Sequence, residues 1–332
     1  MKQIKNFEVF SESLRYRILD KTNQRVFISN LLDSEQQYDL RKKPNCGGYG
    51  RIRHFKLDRE SDWIKDPLPI SPANKHLKTN YSTEIKAQVF QIGACNFRCW
   101  YCFVDNKLIS GKQSYGKFKS SDDLIKLYLN QEEPPKVIDL SGGQPDLVPE
   151  WTIWMMDSLI RHKIDNQVLL WSDDNLSNDF FWRFLDDKQI DFIKSYKNYA
   201  RVGCFKGIDN ETFSITTRIE GKRFDYQFEH FNRLNGLGID LYGYITLTAP
   251  TNHNFEYVIP KLLDRFQAIH ENLPLRIVPL KIESYTPVKS RISKQHLDLL
   301  EGQMIAIKVW KKQLKQRFNS RMLEMDISDI NI

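Results

Sequence analysis

The sequence has 332 residues, of which 41% are hydrophobic and 27% are charged. This balance is typical of a folded globular protein and excludes a largely disordered chain. No stretch approaches the roughly 20 apolar residues that span a bilayer, and no basic start precedes an apolar run, so we expect a cytoplasmic protein without a membrane partner.

The charge is moderately positive, with 49 Lys and Arg against 42 Asp and Glu, a net charge of +7. Such an excess could favour a nucleic acid as partner. The cations are spread along the whole chain, which is more typical of an ordinary solvated surface. Five cysteines, three of them close together, do not form a disulfide framework and fit a reducing compartment.

Residues 1–80 are interpreted as an N-terminal extension. Residues 7–32 mix charge with strand-like pieces such as RVFISNLL. Gly47, Gly48 and Gly50 then predict a flexible turn. Three prolines within residues 66–72 predict an extended connector without regular helix.

Residues 81–290 alternate between strand-like and helix-like patterns, which indicates repeated βα units. The predicted strands are 84–92, 134–140, 167–171, 200–207, 240–250 and 275–282. The predicted helices are 123–130, capped by Ser121, and 151–162, 179–187, 226–238 and 255–270. About six repeats predict an α/β fold, a partial TIM-like barrel with a parallel curved sheet.

Residues 291–332 are interpreted as a C-terminal helical segment that packs on this core. Its predicted buried stripe is Leu297, Leu300, Met304, Ile305, Ile307 and Val309. In α/β folds of this kind the chemistry lies at the carboxyl ends of the strands, and the unusual polar or glycine-rich clusters follow predicted strands.

The strongest of these clusters is the cysteine loop after the first predicted strand, with Cys95, Cys99 and Cys102 in the spacing CxxxCxxC. Three thiolates do not fill a tetrahedral zinc site, but they suit a 4Fe–4S cube with one iron left open. The alternative is a zinc site completed by Cys46 or Cys204, although neither belongs to a CxxC pair or has a histidine at ligand spacing.

A second cluster, Ser141 to Pro145, follows the next strand. Gly142 and Gly143 would leave backbone groups bare for the close approach of a small ligand, and Pro145 would fix the exit of the loop. A plain turn would have the same pattern. The third cluster, Ser172 to Asn175, ends the third strand; Asp174 could instead cap the following helix.

The sequence from about Tyr81 to Ile282 resembles the radical S-adenosylmethionine (radical SAM) superfamily. CNFRCWYC matches the family motif CxxxCxΦC, with Tyr101 as the aromatic residue, and GGQP is similar to the family's GGEP motif. Gln144 departs from the usual glutamate, since it keeps a carbonyl acceptor but lacks the charge.

The resemblance implies two cofactors, a 4Fe–4S cluster on the three cysteines and S-adenosylmethionine on its open iron. It also implies that Gly142 and Gly143 meet the methionyl ammonium, that Lys206 neutralises the cofactor carboxylate unless it is a surface lysine, and that short polar groups contact the ribose. The cofactor-binding residues expected in this way are Tyr101, Gly142, Gly143, Gln144, Pro145, Ser172, Asp173, Asn175 and Lys206.

The implied reaction is reductive cleavage of S-adenosylmethionine to a 5'-deoxyadenosyl radical that abstracts hydrogen from a substrate. It requires an external electron donor of flavodoxin or ferredoxin type. CNFRCWYCFVD is similar to the activating enzymes of glycyl-radical proteins, which favours a protein or peptide substrate. Modification of RNA or a nucleotide, and a non-catalytic iron–sulfur sensor, are the alternatives.

Overall fold

The computed structural model describes residues 6–57, 63–79 and 81–332. Its strands are β1 (Leu19–Asp20), β2 (Arg25–Ser29), β3 (Gly50–Lys56), β4 (Glu84–Gln91), β5 (Gly116–Ser120), β6 (Val137–Ser141), β7 (Leu169–Asp174), β8 (Tyr199–Lys206), β9 (Asp240–Thr246) and β10 (Ile277–Leu280). Its α-helices are α1 (Phe7–Ile18), α2 (Ile70–Leu77), α3 (Ser121–Leu129), α4 (Glu150–Arg161), α5 (Phe180–Phe184), α6 (Asp187–Ser195), α7 (Asn210–Thr217), α8 (Phe224–Asn235), α9 (Phe255–Ile269), α10 (Thr286–Lys289), α11 (Lys294–Arg317) and α12 (Ser320–Glu324).

Seven strands form one curled sheet in the order β10-β9-β8-β7-β6-β4-β3. Six of them are parallel, and β3 joins the edge antiparallel to β4. The sheet closes about half of a barrel, which confirms the predicted α/β fold with a parallel curved sheet. The parallel strands end on one side, as the sequence predicted for the site.

Side chains of the parallel strands alternate between two buried layers. Val137 and Leu169 lie on the concave face of the sheet, whereas Leu140 and Leu170 pack on the helices outside it. Strands buried on both faces have nearly continuous apolar sequences, which explains why the sequence located all six. Polar residues inside the half-barrel are therefore conspicuous, because they interrupt an apolar layer.

Two helix starts in this region differ from the prediction. The N-cap of α3 is Ser120 rather than Ser121, because the Ser120 hydroxyl accepts from the amide of Asp123 while the Asp123 carboxylate accepts from the amide of Ser120. The predicted helix 179–187 is two helices, since Asp186 forms a second capping box with Gln189 and starts α6.

The N-terminal part contributes the strand β3 of the main sheet and the strands β1 and β2 of a small antiparallel sheet, β1-β2-β5, which β5 completes. The sequence predicted β2 but neither β3 nor β5. The connector predicted to be extended over 66–72 turns into α2 at Ile70, because Pro72 lies in the first turn, where a helix needs no amide donor. The division at 80 and 290 stays a prediction, and residues 1–5, 58–62 and 80 lie outside the described residues.

The C-terminal helix α11 has 24 residues and packs against α9, with the rings of Trp310 and Phe266 6.3 Å apart. Ile307 and Val309 of the predicted stripe are buried, but Leu297 is 50% exposed and Ile305 41% exposed. The buried row runs instead through Leu299, Gln303, Ala306, Ile307 and Trp310. In the part of the chain that the structure describes, no helix combines the length and apolar character needed to cross a membrane.

Candidate functional site

The three predicted cluster ligands lie on a loop that leaves the carboxyl end of β4. The amide of Cys95 donates to the carbonyl of Ile109 at 3.2 Å, and that of Trp100 to the carbonyl of Thr216 in α7 at 3.2 Å. All three cysteines are half-buried. The loop is thus held by neighbouring segments on both sides, and its shape does not depend on the thiols alone.

The thiols lie in surroundings that oppose ionisation of the free side chain. Burial raises the pKa of Cys95 and raises that of Cys99 to about 12, while the nearby Lys206 ammonium acts in the opposite direction. The amide of Asn175 points its nitrogen at Cys95 Sγ, 3.6 Å away. Buried thiols become thiolates when they bind a metal, so this donor set suits a metal group with cationic and N–H neighbours.

Cys46 and Cys204, the residues considered for a zinc site, pack in two different hydrophobic clusters. Among residues 6–57, 63–79 and 81–332, no three His, Cys, Asp or Glu side chains are arranged to hold one metal ion. Cys46 packs in the helix-side core, where its thiol is 3.7 Å from the carbonyl of Leu127. Cys204 lies on the concave face among apolar side chains of the sheet.

The glycine loop after β6 packs directly on the start of the cysteine loop. Gly142 has a left-handed φ of 82°, and a Cβ on it would overlap the side chain of Gln91. A Cβ on Gly143 would overlap the carbonyl oxygen of Ala94 and lie 2.5 Å from that of Ile92. The two glycines are therefore required first of all by contact with the end of β4, next to Cys95.

Gln144 is fully buried and bonded to the segment after β7. Its Nε2 donates to Asp174 Oδ1 at 2.7 Å, and its Oε1 accepts from the amide of Asn175 at 2.9 Å. A glutamate here would face the carboxylate of Asp174 with no proton to share. A glutamine in place of the glutamate of the GGEP motif therefore suits the contact with Asp174, because its amide can donate to that carboxylate.

The polar residues that end β7 divide between the two faces of the sheet. Asp173 is half-buried on the concave face, where it accepts from Ser141 Oγ at 2.6 Å and from Trp171 Nε1 at 3.0 Å. The hydroxyl of Ser172 lies on the other face and is bonded to the hydroxyl of Tyr199 at 2.7 Å. The structure therefore places Asp173, and not Ser172, toward the interior of the half-barrel.

The next two residues connect the loops. Asn175 is bonded to Asn96 of the cysteine loop at 3.1 Å as well as to Cys95. The alternative role of Asp174 as a helix N-cap is wrong, because the N-cap of α5 is Asp179. Asp174 instead accepts from the amide of Leu176 at 2.8 Å and holds Gln144.

Lys206 ends β8 beside the cysteine loop. Its ammonium lies 6.0 Å from the ring centroid of Tyr101 and interacts electrostatically with Cys99 and Cys102. The side chain is half-buried, so it is not a surface lysine. Pro145 is buried and begins the short turn Pro145–Leu147 that ends the glycine loop.

The sequence missed a buried ion-pair triad beneath these loops. Arg201 on β8 is 1% exposed, and its guanidinium is bonded to Asp146, just after the glycine loop, and to Asp174 at 2.6 Å. The available signal was a charged residue in the middle of the apolar strand YARVGCF. A buried charge requires a partner, and both partners hold the predicted cofactor loops together.

Replacing Gly143 with alanine is expected to disturb the cysteine loop as well as the glycine loop, because the added methyl overlaps backbone and not a flexible side chain. We expect a loss of about 1–3 kcal/mol in the free energy of unfolding. The amount of iron bound per chain after reconstitution should fall together with the stability. Gly236→Ala is the control, since its Cβ would meet nothing closer than 3.5 Å; equal iron contents and stabilities in the two variants would contradict the assignment.

No protein-family model and no curated protein matches the chain. Among solved structures, it is similar to Streptococcus suis SuiB bound to the precursor peptide SuiA, with a TM-score of 0.38 and 14% identity over 55% of this chain. It is also similar to anSMEcpe with bound AdoMet, with a TM-score of 0.42 and 16% identity over 68% of this chain. A third similar structure is TYW1 with a lysine-pyruvate adduct bound, with a TM-score of 0.43 and 14% identity over 81% of this chain. The match spans 36% of the SuiB chain, 55% of anSMEcpe and 84% of TYW1. These neighbours are radical SAM enzymes.

Proposed function

We propose that this protein is a radical SAM enzyme. It would reductively cleave S-adenosylmethionine at a 4Fe–4S cluster held by Cys95, Cys99 and Cys102. The observation that carries the proposal is the direct contact of three loops at the carboxyl ends of β4, β6 and β7. The amide of Gln144 donates to the carbonyl of Ala94 at 2.8 Å, and Asn175 reaches Cys95 Sγ.

Buried polar groups without hydrogen-bond partners around these loops support the binding of a polar ligand. Nε2 of Gln91, beside Gly142, and Oδ1 of Asn175, beside Cys95, are buried without a hydrogen-bond partner in the described residues. Such groups are uncommon in folded proteins unless a ligand or water satisfies them. One donor and one acceptor next to a thiol loop fit a molecule with amino, carboxylate and hydroxyl groups.

With both cofactors bound, one-electron reduction of the sulfonium would release methionine and a 5'-deoxyadenosyl radical that takes a hydrogen atom from the substrate. The electron would come from an external donor of flavodoxin or ferredoxin type. The chain's own residues bind and shield. Lys206 would neutralise an anionic group beside the cysteines. Trp100 is buried and stacked on His296 at 4.5 Å, so that it covers the loop against water.

The remaining predicted residues would have different roles in this enzyme. Gly142, Gly143, Gln144 and Pro145 shape the loop that meets the cofactor, and Asp173 and Asn175 would meet its ribose and cluster. We leave Ser172 out, because its hydroxyl is bonded on the opposite face of the sheet.

The decisive experiment is anaerobic reconstitution with iron and sulfide, followed by reduction in the presence of S-adenosylmethionine. We expect a 4Fe–4S cluster, seen by its visible absorption and electron paramagnetic resonance, and formation of 5'-deoxyadenosine. A protein that binds no such cluster is not this enzyme. A cluster that never yields 5'-deoxyadenosine would favour the non-catalytic sensor.

For the substrate we propose a peptide or protein, on the similarity of CNFRCWYCFVD to glycyl-radical activating enzymes. RNA or nucleotide modification is the alternative, in keeping with the net charge of +7. RNA binding would weaken steeply as salt rises, because each phosphate contact releases counterions. Retention of the substrate in high salt would therefore favour the peptide.

A further inference from the structure

Two arginines of β3 face the interior of the half-barrel and form no salt bridge with the described residues. Arg51 is 7% exposed and Arg53 is half-buried, and both lie on the same face of the strand as Phe55, which packs in the concave apolar layer. Within the described ranges they lie over ring faces and form no ion pair. The Arg51 Cζ atom is 5.2 Å from the ring centroid of Phe103, and that of Arg53 is 4.3 Å from Phe55.

A carboxylate on the same concave face is also unpartnered. Asp139 on β6 is fully buried, and neither of its oxygens has a hydrogen-bond partner among the described residues. Burial and then the charge of Asp173 raise its pKa well above the ordinary range, while Arg53 and Arg51 act in the opposite direction. An orphaned buried carboxylate is costly for the folded chain unless something else satisfies it.

The spacing of these groups limits what could lie between them. Arg51 is paired with Val89 of β4, and Val89 with Asp139, so the two residues are separated by one strand and by about 10 Å between their Cα atoms. Their side chains converge on the concave side. A guanidinium and a carboxylate on neighbouring strands would together complement a compact group that carries both an anion and an N–H donor.

The charges on this face decide which anion fits. Besides Asp139, the carboxylates of Asp173 and Asp66 interact with Arg53. A dianionic phosphate would face three acidic side chains against two guanidiniums. A single carboxylate with an adjacent N–H group would satisfy the arginines and give Asp139 a donor.

We propose that Arg51, Arg53 and Asp139 bind the substrate of this enzyme by an α-carboxylate and the nitrogen on the adjoining carbon, as found in a free amino acid or the C-terminal residue of a peptide. The proposal rests on the proposed function for the identity of the guest as substrate. Asp139 is on β6, three residues before Gly142 of the loop that follows this strand, and so lies about 10 Å deeper in the half-barrel than the glycine loop. A head group held there would direct the rest of the molecule toward the cysteine loop.

The test is the unfolding temperature of the full chain in the presence of three probes: a pool of the twenty free amino acids, a random pentapeptide library with free carboxyl termini, and the same library amidated. A bound ligand raises the unfolding temperature of the state that binds it. We expect stabilisation by the amino acids or by the free-carboxyl peptides, which identifies the source, and none by the amidated library. Equal effects of both libraries, or no effect of any free-carboxyl probe, would overturn the proposal.

Three variants separate recognition from structure. Arg53→Gln and Asp139→Asn are each expected to lower the affinity for the stabilising probe by about tenfold or more. Lys56→Gln removes a cation from the same strand on its opposite face, where Lys56 is paired with Glu84 at 2.6 Å, and should retain the response. Without ligand, Asp139→Asn should raise the unfolding temperature because it removes an unpartnered buried carboxyl group that is costly to ionise; a structural ion-pair role predicts a fall instead.

Two further outcomes keep this site apart from the cofactor site. Binding of the probes needs no cluster, so a failed reconstitution with a positive probe response would reject the proposed function and leave the binding site standing. If S-adenosylmethionine alone reproduces the stabilisation and Asp139→Asn abolishes it, the groups belong to the cofactor and the substrate assignment is wrong.

Discussion

Cys99→Ala is expected to reduce the reconstituted iron content from about four atoms per chain to a small remainder and to abolish formation of 5'-deoxyadenosine. Each thiolate would bind a different iron, so the loss of one leaves the cube without a protein ligand at that corner. The measurements are iron and sulfide content, visible absorption, and 5'-deoxyadenosine after reduction. Cys95→Ala and Cys102→Ala should behave alike.

The matched control is Cys46→Ala. Burial raises the pKa of this thiol to about 12, and the thiol contacts the carbonyl of Leu127 in the helix-side core. Iron content and 5'-deoxyadenosine should stay at the level of the unchanged protein. Equal iron in Cys99→Ala and Cys46→Ala would mean that the cysteine loop is not the cluster site, and a dependence on Cys204 would favour zinc.

The six parallel strands were predictable because each is buried on both faces and stands between amphipathic helices. The resulting runs, such as KVIDL and QVLLW, differ in composition from the polar loops that follow them. Since parallel strands end on one side of a sheet, the sequence order alone placed the cysteines, the glycine pair and the residues after β7 at one edge.

The strand β3 was not predictable on the same ground. Its sequence GRIRHFK carries four basic residues, and its partner β4 begins 28 residues after β3 ends, counted from Lys56 to Glu84. Charged residues inside a strand do not give a period-two apolar pattern. Here Arg51 and Arg53 face the concave interior, and only the three-dimensional arrangement shows that they interact electrostatically with Asp139 and Asp173.

The residues after β7 illustrate a second limit of the sequence. Ser172, Asp173 and Asn175 have similar short polar side chains, and a ribose contact is chemically reasonable for each. Successive residues of a strand point to opposite faces, so a shift of one position decides which residue reaches the interior. The alternation around Trp171 assigns that face to Asp173, and the pattern of residue types contains no such information.

The triad of Arg201, Asp146 and Asp174 connects the fold with the candidate site, since it is buried in the fold and supports the loops of the site. Asp174 holds Gln144, and Gln144 holds the amide of Asn175. Asn175 in turn reaches Cys95. A change at Arg201 should therefore act on stability first and on the cysteine loop through this chain of contacts.

Arg201→Met is expected to lower the free energy of unfolding by about 3–5 kcal/mol, because it leaves two buried carboxylates without their cation. Arg161→Met is the control, since Arg161 is paired with Asp157 and Asp122 but its side chain is 53% exposed, and such pairs contribute about 1 kcal/mol or less. Chemical denaturation of both variants measures the difference. Similar losses would show that the triad is not a buried support of the loops.

The pH dependence provides an independent check on the cause. Burial already raises the pKa of Asp146 to about 6 while Arg201 opposes that rise, so removal of the guanidinium should raise it further. A carboxyl whose pKa is higher in the folded than in the unfolded chain destabilises the fold as pH rises through that interval, and the penalty disappears below the unfolded pKa of about 4. The deficit of Arg201→Met should therefore be largest at neutral pH and shrink as the pH falls toward 4. Adding Asp146→Asn and Asp174→Asn to Arg201→Met should remove most of this pH dependence, whereas a deficit that stays constant with pH would point to lost packing of the arginine side chain and not to unpaired charge.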